Sequence, residues 1–391
     1  MTDFDFVSPT RLIFGRGAEK RLGEILSSYN VDSVLLVYGG GSIIKNGLYQ
    51  RVIEQLQSKG ITYQELGKIR ANPTKEAVIA GINILKEHPC DLVLAVGGGS
   101  VIDTAKAIGV GYYYNGDPFD FNLKKAVPKK TLPVGIILTI ASAGSEMSNS
   151  CVISDDLAHI KQGFNNDLIR PLFAIEDPEL TYSVSPFQTA VGFSDIMMHS
   201  LERYFGESDA RQLADEWALD LVKNTMEAGK AALEDPNDYS SRAALMLNSS
   251  LSHNGYTGLG KNCPFVVHPL EHALSGYRSD IPHGAGVALL FPAWASYVLS
   301  KAPGKFAYMA RKLFKIRAKS ELEEAIMGVA AMKEFFHSVG MPTSFKEVGI
   351  AKDDIPSLVR LASGNGTRVI GLYPQSLNEQ DIRKIYESLL P

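Results

Sequence analysis

Asp195 and His199 lie four residues apart in a segment where Phe187, Val191 and Met198 recur with the period of a helix. At that spacing two side chains share one helix face, so a carboxylate and an imidazole interrupt an apolar stripe. A buried carboxylate needs a strong partner, and a metal ion is one. Further along, His268-Pro-Leu-Glu-His272 repeats the same spacing, and Ile281-Pro282-His283-Gly284 puts another imidazole at the start of the next helix. A lone histidine is more often a satisfied structural residue. Asp-x-x-x-His together with His-x-x-x-His and a further histidine reverses that reading. One carboxylate and three imidazoles suit a divalent transition ion such as Fe2+ or Zn2+ rather than Ca2+ or Mg2+. Such an ion acts as a Lewis acid: it binds a substrate oxygen, lowers its pKa and stabilises the negative charge that develops there.

A second chemistry is written in glycine. Gly-Gly-Gly-Ser occurs at Gly39–Ser42 and again at Gly97–Ser100, each time directly after an apolar run. Glycine lets the backbone approach a phosphate closely, and a following helix N-terminus offers free N–H groups and a positive dipole end. The second copy is the better pyrophosphate cradle, because Val101–Lys106 continues as a helix. Asp103, in its first turn, favours the helix dipole, a role compatible with touching a cofactor as well. The G-x-G-x-x-G fingerprint is absent, so this is not an ordinary Rossmann dehydrogenase. NAD-selective enzymes commonly place an acidic residue on the ribose 2′-hydroxyl. The first copy offers only Gly39, Gly40, Gly41 and Ser42, with Lys45 soon after. Neutral donors and a nearby cation suit a 2′-phosphate, which predicts NADP(H).

Elements must hold these two sets of residues. Apolar runs of strand length occur at Arg11–Phe14, Ser33–Tyr38, Leu92–Val96, Val134–Thr139 and Leu172–Ile175, with helical patterns between them. That alternation predicts a parallel sheet with helices on its faces over residues 1–183. From Ser185-Pro186, a good helix start, the pattern is helical to the end. Helices are expected around Ser208–Leu233, Tyr239–His253, Pro264–Leu274, Gly284–Leu299 and Leu322–Phe336. The expected organisation is therefore an α/β nucleotide-binding domain over 1–183 and an all-helical, metal-binding domain over 184–391.

The chain's 391 residues fit two domains. A net charge of −4 and the absence of any long basic block argue against nucleic-acid binding. No run approaches the roughly 18 apolar residues of a membrane span. The acidic start, MTDFDF, is unlike a signal peptide. Three widely spaced cysteines (Cys90, Cys151, Cys263) fit a reducing cytoplasm. Cys263 reads as a buried, inert thiol despite its nearness to the histidines.

Taken together these residues resemble the iron-containing (group III) alcohol dehydrogenases, whose fold is shared with glycerol dehydrogenase and dehydroquinate synthase. The resemblance runs from Ser8–Gly17 through Gly97–Asp103 and Gly144-Ser-Glu146 to His268–His272 and Pro282-His-Gly284. Tyr38–Ser42 and Asn254–Gly260 are most similar to the branch of NADPH-dependent butanol dehydrogenases and broad-range aldehyde reductases. The resemblance implies Asp195, His199, His268 and His283 as metal ligands, with His272, not a ligand, beside the nicotinamide and substrate; an imidazole there either relays the proton or merely shapes the pocket. It implies cofactor contacts from Gly40 and Ser42 near the 2′-phosphate, from Asn72 and Pro73, and from Gly98, Gly99, Ser100 and Asp103 at the pyrophosphate. Thr139, Asn149, Lys161 and Leu180 would line the nicotinamide end, and a homodimer is the family expectation. The family usually has threonine before Gly144-Ser145-Glu146, whereas Ala143 stands here and removes one hydroxyl contact. Phe265 reads either as a wall of the substrate pocket or as a core aromatic.

The same fold also hosts glycerol dehydrogenase-like enzymes and a carbon–oxygen lyase of the dehydroquinate synthase kind. The lyase would need a crowd of lysines and arginines for its anionic substrate. Around the histidines stand mainly Lys261 and Arg278. A catalytically silent nucleotide- or metal-binding protein is disfavoured by the retention of both glycine turns and all four ligand positions.

Overall fold

Strands buried on both faces must be apolar almost throughout, and the central strands of this chain are. The computed structural model describes residues 1–207 and 212–391. Its strands are β1 (Arg11–Phe14), β2 (Ser33–Gly39), β3 (Thr62–Ile69), β4 (Leu92–Gly97), β5 (Val134–Leu138), β6 (Ser150–Asp155), β7 (Ile160–Asn165) and β8 (Phe173–Glu176). Six of them form one parallel sheet in the order β1-β8-β5-β4-β2-β3, and β6 and β7 form a separate antiparallel hairpin. Helices α1 (Leu22–Ser28), α2 (Ser42–Lys45), α3 (Leu48–Ser58), α4 (Lys75–Glu87) and α5 (Gly99–Gly111) accompany the sheet. Successive side chains of β2 and β4 enter two different cores. Leu35, Val37, Val93 and Ala95 pack with Val78, Ile82, Ile102 and Ile108. Val34, Leu36, Leu94 and Val96 pack with Leu22, Ile25, Val52 and Leu56. The two-residue period of a strand thereby generates a three-layer α/β/α unit.

From β2 the chain steps to β3 at one edge, then returns past β2 to β4 and continues outward through β5. The connections thus diverge between β2 and β4, the switch point at which open α/β sheets bind ligands. Both triple-glycine turns leave the carboxyl ends of these two strands. The sequence reading lacks β3, Thr-Tyr-Gln-Glu-Leu-Gly-Lys-Ile, because an edge strand with polar residues shows no apolar run. It therefore could not locate the switch point.

The remaining helices are α6 (Pro186–Tyr204), α7 (Leu213–Glu234), α8 (Tyr239–His253), α9 (Val267–Tyr277), α10 (His283–Val298), α11 (Pro303–Phe314), α12 (Glu321–Ser338), α13 (Ile355–Ala362) and α14 (Glu379–Glu387). The expected start of a helix at Ser208 falls outside the described residues, and α7 is seen from Leu213. Leu289, Leu290, Phe291, Trp294 and Val298 bury α10 on all sides, which marks it as the centre of the helical unit.

The chain packs as two compact units, one of Val7–Ser185 with Glu234–Asn254, the other of Met1–Phe6, Pro186–Leu233 and Gly255–Pro391. A single cut at 183, the sequence expectation, would give α8 to the helical half. Instead α8 belongs to the sheet unit and buries Met246 in its core. Helical periodicity alone does not reveal which unit an amphipathic helix covers.

Candidate active site

On α6, Asp195, His199 and Glu202 follow at i, i+4 and i+7 and form one stripe, all three buried. The α9 and α10 helices bring two more imidazoles to that stripe. Oδ1 of Asp195 lies 3.4 Å from Nδ1 of His199 and 3.6 Å from Nε2 of both His268 and His283. Three rings from three helices thus converge on one carboxylate oxygen. His283 reaches it because α10 begins against α6. A Cβ on Gly284 would stand 2.0 Å from the carbonyl oxygen of Val191, so only glycine fits there.

The donor set fits a divalent ion. Nε2 of His268 is buried with no hydrogen-bond partner among the described residues, a costly state unless a cation takes it. Burial alone would depress the His268 imidazole, but the carboxylates of Glu202 and Asp195 outweigh it and lift the pKa to about 9. The two carboxylates thus favour a positively charged ring.

Behind the rings stand two carboxylates that the sequence reading did not single out. Nδ1 of His268 bonds Glu202 and Nδ1 of His283 bonds Glu271. Metal-binding histidines commonly present the second ring nitrogen to a carboxylate in this manner. A Cβ on Gly286 would stand 2.7 Å from Cγ of Glu271, so its absence leaves room for that side chain. The signal in the sequence was spacing, since Glu202 and Glu271 each sit three residues after a histidine. His272, partly exposed, lies beside this set, its ring centroid 5.6 Å from that of His283 and 6.3 Å from that of His268. The half-buried Phe265 ring lies 5.0 Å from the His268 ring and 4.9 Å from the Arg203 guanidinium.

In the sheet unit, Gly98 precedes α5 in extended conformation, and the helix N-terminus carries no side-chain cap. A Cβ on Gly98 would stand 2.4 Å from Cγ2 of Ile140, so packing favours glycine there. Gly99 and Ser100 are partly exposed in the same turn, and the Thr139 amide after β5 donates to Gly97 O at 3.1 Å. On the neighbouring strand Gly40 and Ser42 are exposed, with open space where a Gly40 Cβ would go. Asn72 and Pro73 follow β3, and the Pro73 carbonyl accepts from the Ser154 amide of β6 at 2.8 Å. Lys161 lies on β7. Asn149 donates to Asp167 at 3.0 Å. Leu180 is buried in the core with Ile43, Val96 and Ile137. Asp103 has an internal task. Its carboxylate accepts from the Ser145 hydroxyl at 2.5 Å and the Val152 amide at 2.9 Å, which ties down the Gly144–Ser148 loop.

That loop rests on a buried ionic network. Lys106 Nζ donates to the carbonyls of Ser145, Ser148 and Ser150 at 2.7, 3.0 and 2.9 Å, while burial drives its pKa down to about 8. Amides of Ser142 and Gly144 donate to Ser249 Oγ at 3.2 Å, and Ser249 Oγ donates to Glu146 Oε1 at 3.0 Å. Ser250 Oγ lies 2.9 Å from Glu146 Oε1 and 2.5 Å from Glu176 Oε1. One hydroxyl has one proton, so a protonated carboxyl must supply the other contact. Burial raises both acids, and the Glu146 charge pushes Glu176 further up. Glu176 is therefore the acid that keeps its proton.

Glycine turns at a switch point and a carboxylate with converging imidazoles describe an oxidoreductase that combines a nucleotide with a metal. Comparison with known proteins supplies the particular family. Residues 9–178 match the iron-containing alcohol dehydrogenases, and residues 189–390 match the C-terminal part of the same family. The NADH-dependent butanol dehydrogenase A of Clostridium acetobutylicum is 39% identical, over 99% of both chains. The NADPH-dependent aldehyde reductase YqhD of Escherichia coli is 31% identical, over 99% of this chain and all of its own. A crystal structure of NADH-dependent butanol dehydrogenase A from Thermotoga maritima superposes with a TM-score of 0.95 at 34% identity, over 100% of this chain and 99% of that one. The chain belongs to the iron-containing alcohol dehydrogenase family and is an alcohol or aldehyde oxidoreductase. Membership brings with it a nucleotide cofactor and a divalent metal.

Proposed function

We propose that the enzyme interconverts small, uncharged aldehydes and alcohols, using NADP(H) and a divalent ion held by Asp195, His199, His268 and His283. The observation that carries this reading is the convergence of three imidazoles on Oδ1 of Asp195, each with a ring nitrogen within 3.6 Å. When bound, the nicotinamide supplies hydride and the ion supplies Lewis acidity toward the substrate oxygen. The chain supplies the positioning. Glu202 and Glu271 fix the rings of His268 and His283. Amide groups of Gly98, Gly99 and Ser100 at the α5 N-terminus bind the pyrophosphate. His272 gives and takes the alcohol proton, a task suited to an imidazole near neutral pH.

The names of the relatives divide between NADH and NADPH, so the cofactor preference is read from this chain. No carboxylate stands between Gly39 and Lys45, and the space beside Gly40 is open. Both favour a 2′-phosphate. Substrates are short aldehydes such as butanal, because the sequence around the histidines holds no cluster of arginines for an anion.

A substrate panel with NADPH deuterated at C4 tests the whole reading. Deuterium should appear at C1 of the product alcohol, and kcat/KM should be higher with NADPH than with NADH. Gly40→Asp should shift preference toward NADH. Substitution of His272 by alanine should lower kcat by roughly 100-fold while metal content stays unchanged. Reduction without label transfer, a strict need for an anionic substrate, or better turnover with NADH would each defeat the corresponding part.

A further inference from the structure

Glu202 does two things at once. Its Oε1 accepts from the amides of Val266 and Val267, the latter at 2.7 Å, and its Oε2 accepts from the amide of His268 at 3.1 Å. These are first-turn donors of α9, which lack partners within their own helix, and the α9 N-cap, Val266, has no side chain able to serve them. Glu202 caps α9 from another helix. The same carboxylate bonds Nδ1 of His268. Four donors thus surround one buried carboxylate, and each of its oxygens takes two.

We propose that Glu202 is a positioning residue for metal binding, which keeps the proton of His268 on Nδ1 and thereby leaves Nε2 to the ion. An acceptor-only group facing Nδ1 requires a donor there, so the lone pair of the neutral ring lies on Nε2, the nitrogen 3.6 Å from Asp195 Oδ1. Because one carboxylate holds both the ring and the first turn of α9, seating of that helix and orientation of the ligand are one event. The inference rests on His268 being a ligand.

Glu202→Gln is the discriminating variant. If its amide oxygen stays with Val266 and Val267, its NH2 group faces the His268 amide and Nδ1. The ring must then accept at Nδ1 and carry its proton on Nε2, where the ion belongs. Zn2+ affinity of the metal-stripped full chain, measured by competition with a chromophoric chelator, should fall about 10- to 100-fold. The absorption bands of Co2+ bound in the same site should shift in position. His268→Ala, run alongside, separates the two readings. If it leaves Zn2+ affinity intact, the ligand assignment itself fails. If it abolishes binding while Glu202→Gln stays within about threefold of the native protein, only the positioning role is overturned, even if the variant melts at a lower temperature. Should Glu202→Gln not fold, 15N-histidine spectra of the zinc-loaded native chain decide. A proton on Nδ1 of His268 supports the proposal, and its absence overturns it.

Discussion

At the scale of single residues, the pair Glu146 and Glu176 shows how hydrogen-bond counting reveals a proton. Ser250 cannot donate to both, and Glu176 is the acid that keeps its hydrogen. Lys106 is the charged group that bears on Glu146, and Glu146 in turn bears on Glu176. Glu176 has a folded-state pKa raised above its unfolded value, which is about 4.3. Between those two values the folded chain binds more protons than the unfolded one. Its contribution to stability is therefore complete below about pH 4.3 and is lost as pH rises through the folded-state value, at up to about 1.4 kcal/mol per pH unit. Glu176→Gln keeps the shape and the donor but cannot ionise. Urea midpoints of this variant should match the native enzyme near pH 4 and exceed it near pH 9. Parallel profiles would show that Glu176 is ionised throughout.

At the scale of elements, the close approach of α10 to α6 sets the position of His283. Gly284→Ala puts a methyl group into the Val191 carbonyl, and overpacking of this kind costs about 1–3 kcal/mol. The displaced helix carries His283 with it, so Zn2+ affinity should fall along with the thermal midpoint. Gly40→Ala meets nothing within 4 Å and serves as the tolerant comparison. If Gly284→Ala bound Zn2+ as the native chain does, the packing of α10 on α6 would not be what places the ligand. Elements also decide what a reader of the sequence can see. β2, β4 and β5 announce themselves because burial on both faces makes them continuously apolar. The pairs Asp195/His199 and His268/His272 announce α6 and α9 because residues at i, i+4 share a helix face. β3 stays hidden because an edge strand tolerates Gln64, Glu65 and Lys68. The β6–β7 hairpin stays hidden because Lys161 and Gln162 break any apolar run. Three of the four partners of Glu202 stay hidden for another reason. They are main-chain amides, and backbone donors leave no mark in side-chain spacing.

At the scale of the molecule, each unit holds one of the two sets of residues. Asp195, His199, His268 and His283 all lie in the helical unit, whereas both glycine turns lie in the sheet unit. Hydrogen exchange read by mass spectrometry should therefore separate the ligands. Zn2+ added to metal-free protein should protect peptides of α6, α9 and the start of α10. NADPH should protect the β2–α2 and β4–α5 turns. Protection by Zn2+ that spares α9 would remove the ground for treating His268 as a ligand.

The placement of α8 has a consequence for how the protein is made. A ribosome releases the chain from its N-terminus, and domains generally fold as units in that order. Here the sheet and its five early helices have all emerged by residue 185, yet the unit is incomplete without Glu234–Asn254. Until Ser249 and Ser250 arrive, Glu146 and Glu176 have no hydroxyls to meet, and the core lacks Met246. α6 and α7 are synthesised in that interval. The first unit therefore waits through Pro186–Leu233, about an eighth of the chain, which belongs to the second. Nascent chains arrested with residue 200 outside the exit tunnel should be cut by protease within the sheet unit, and those arrested past residue 260 should resist.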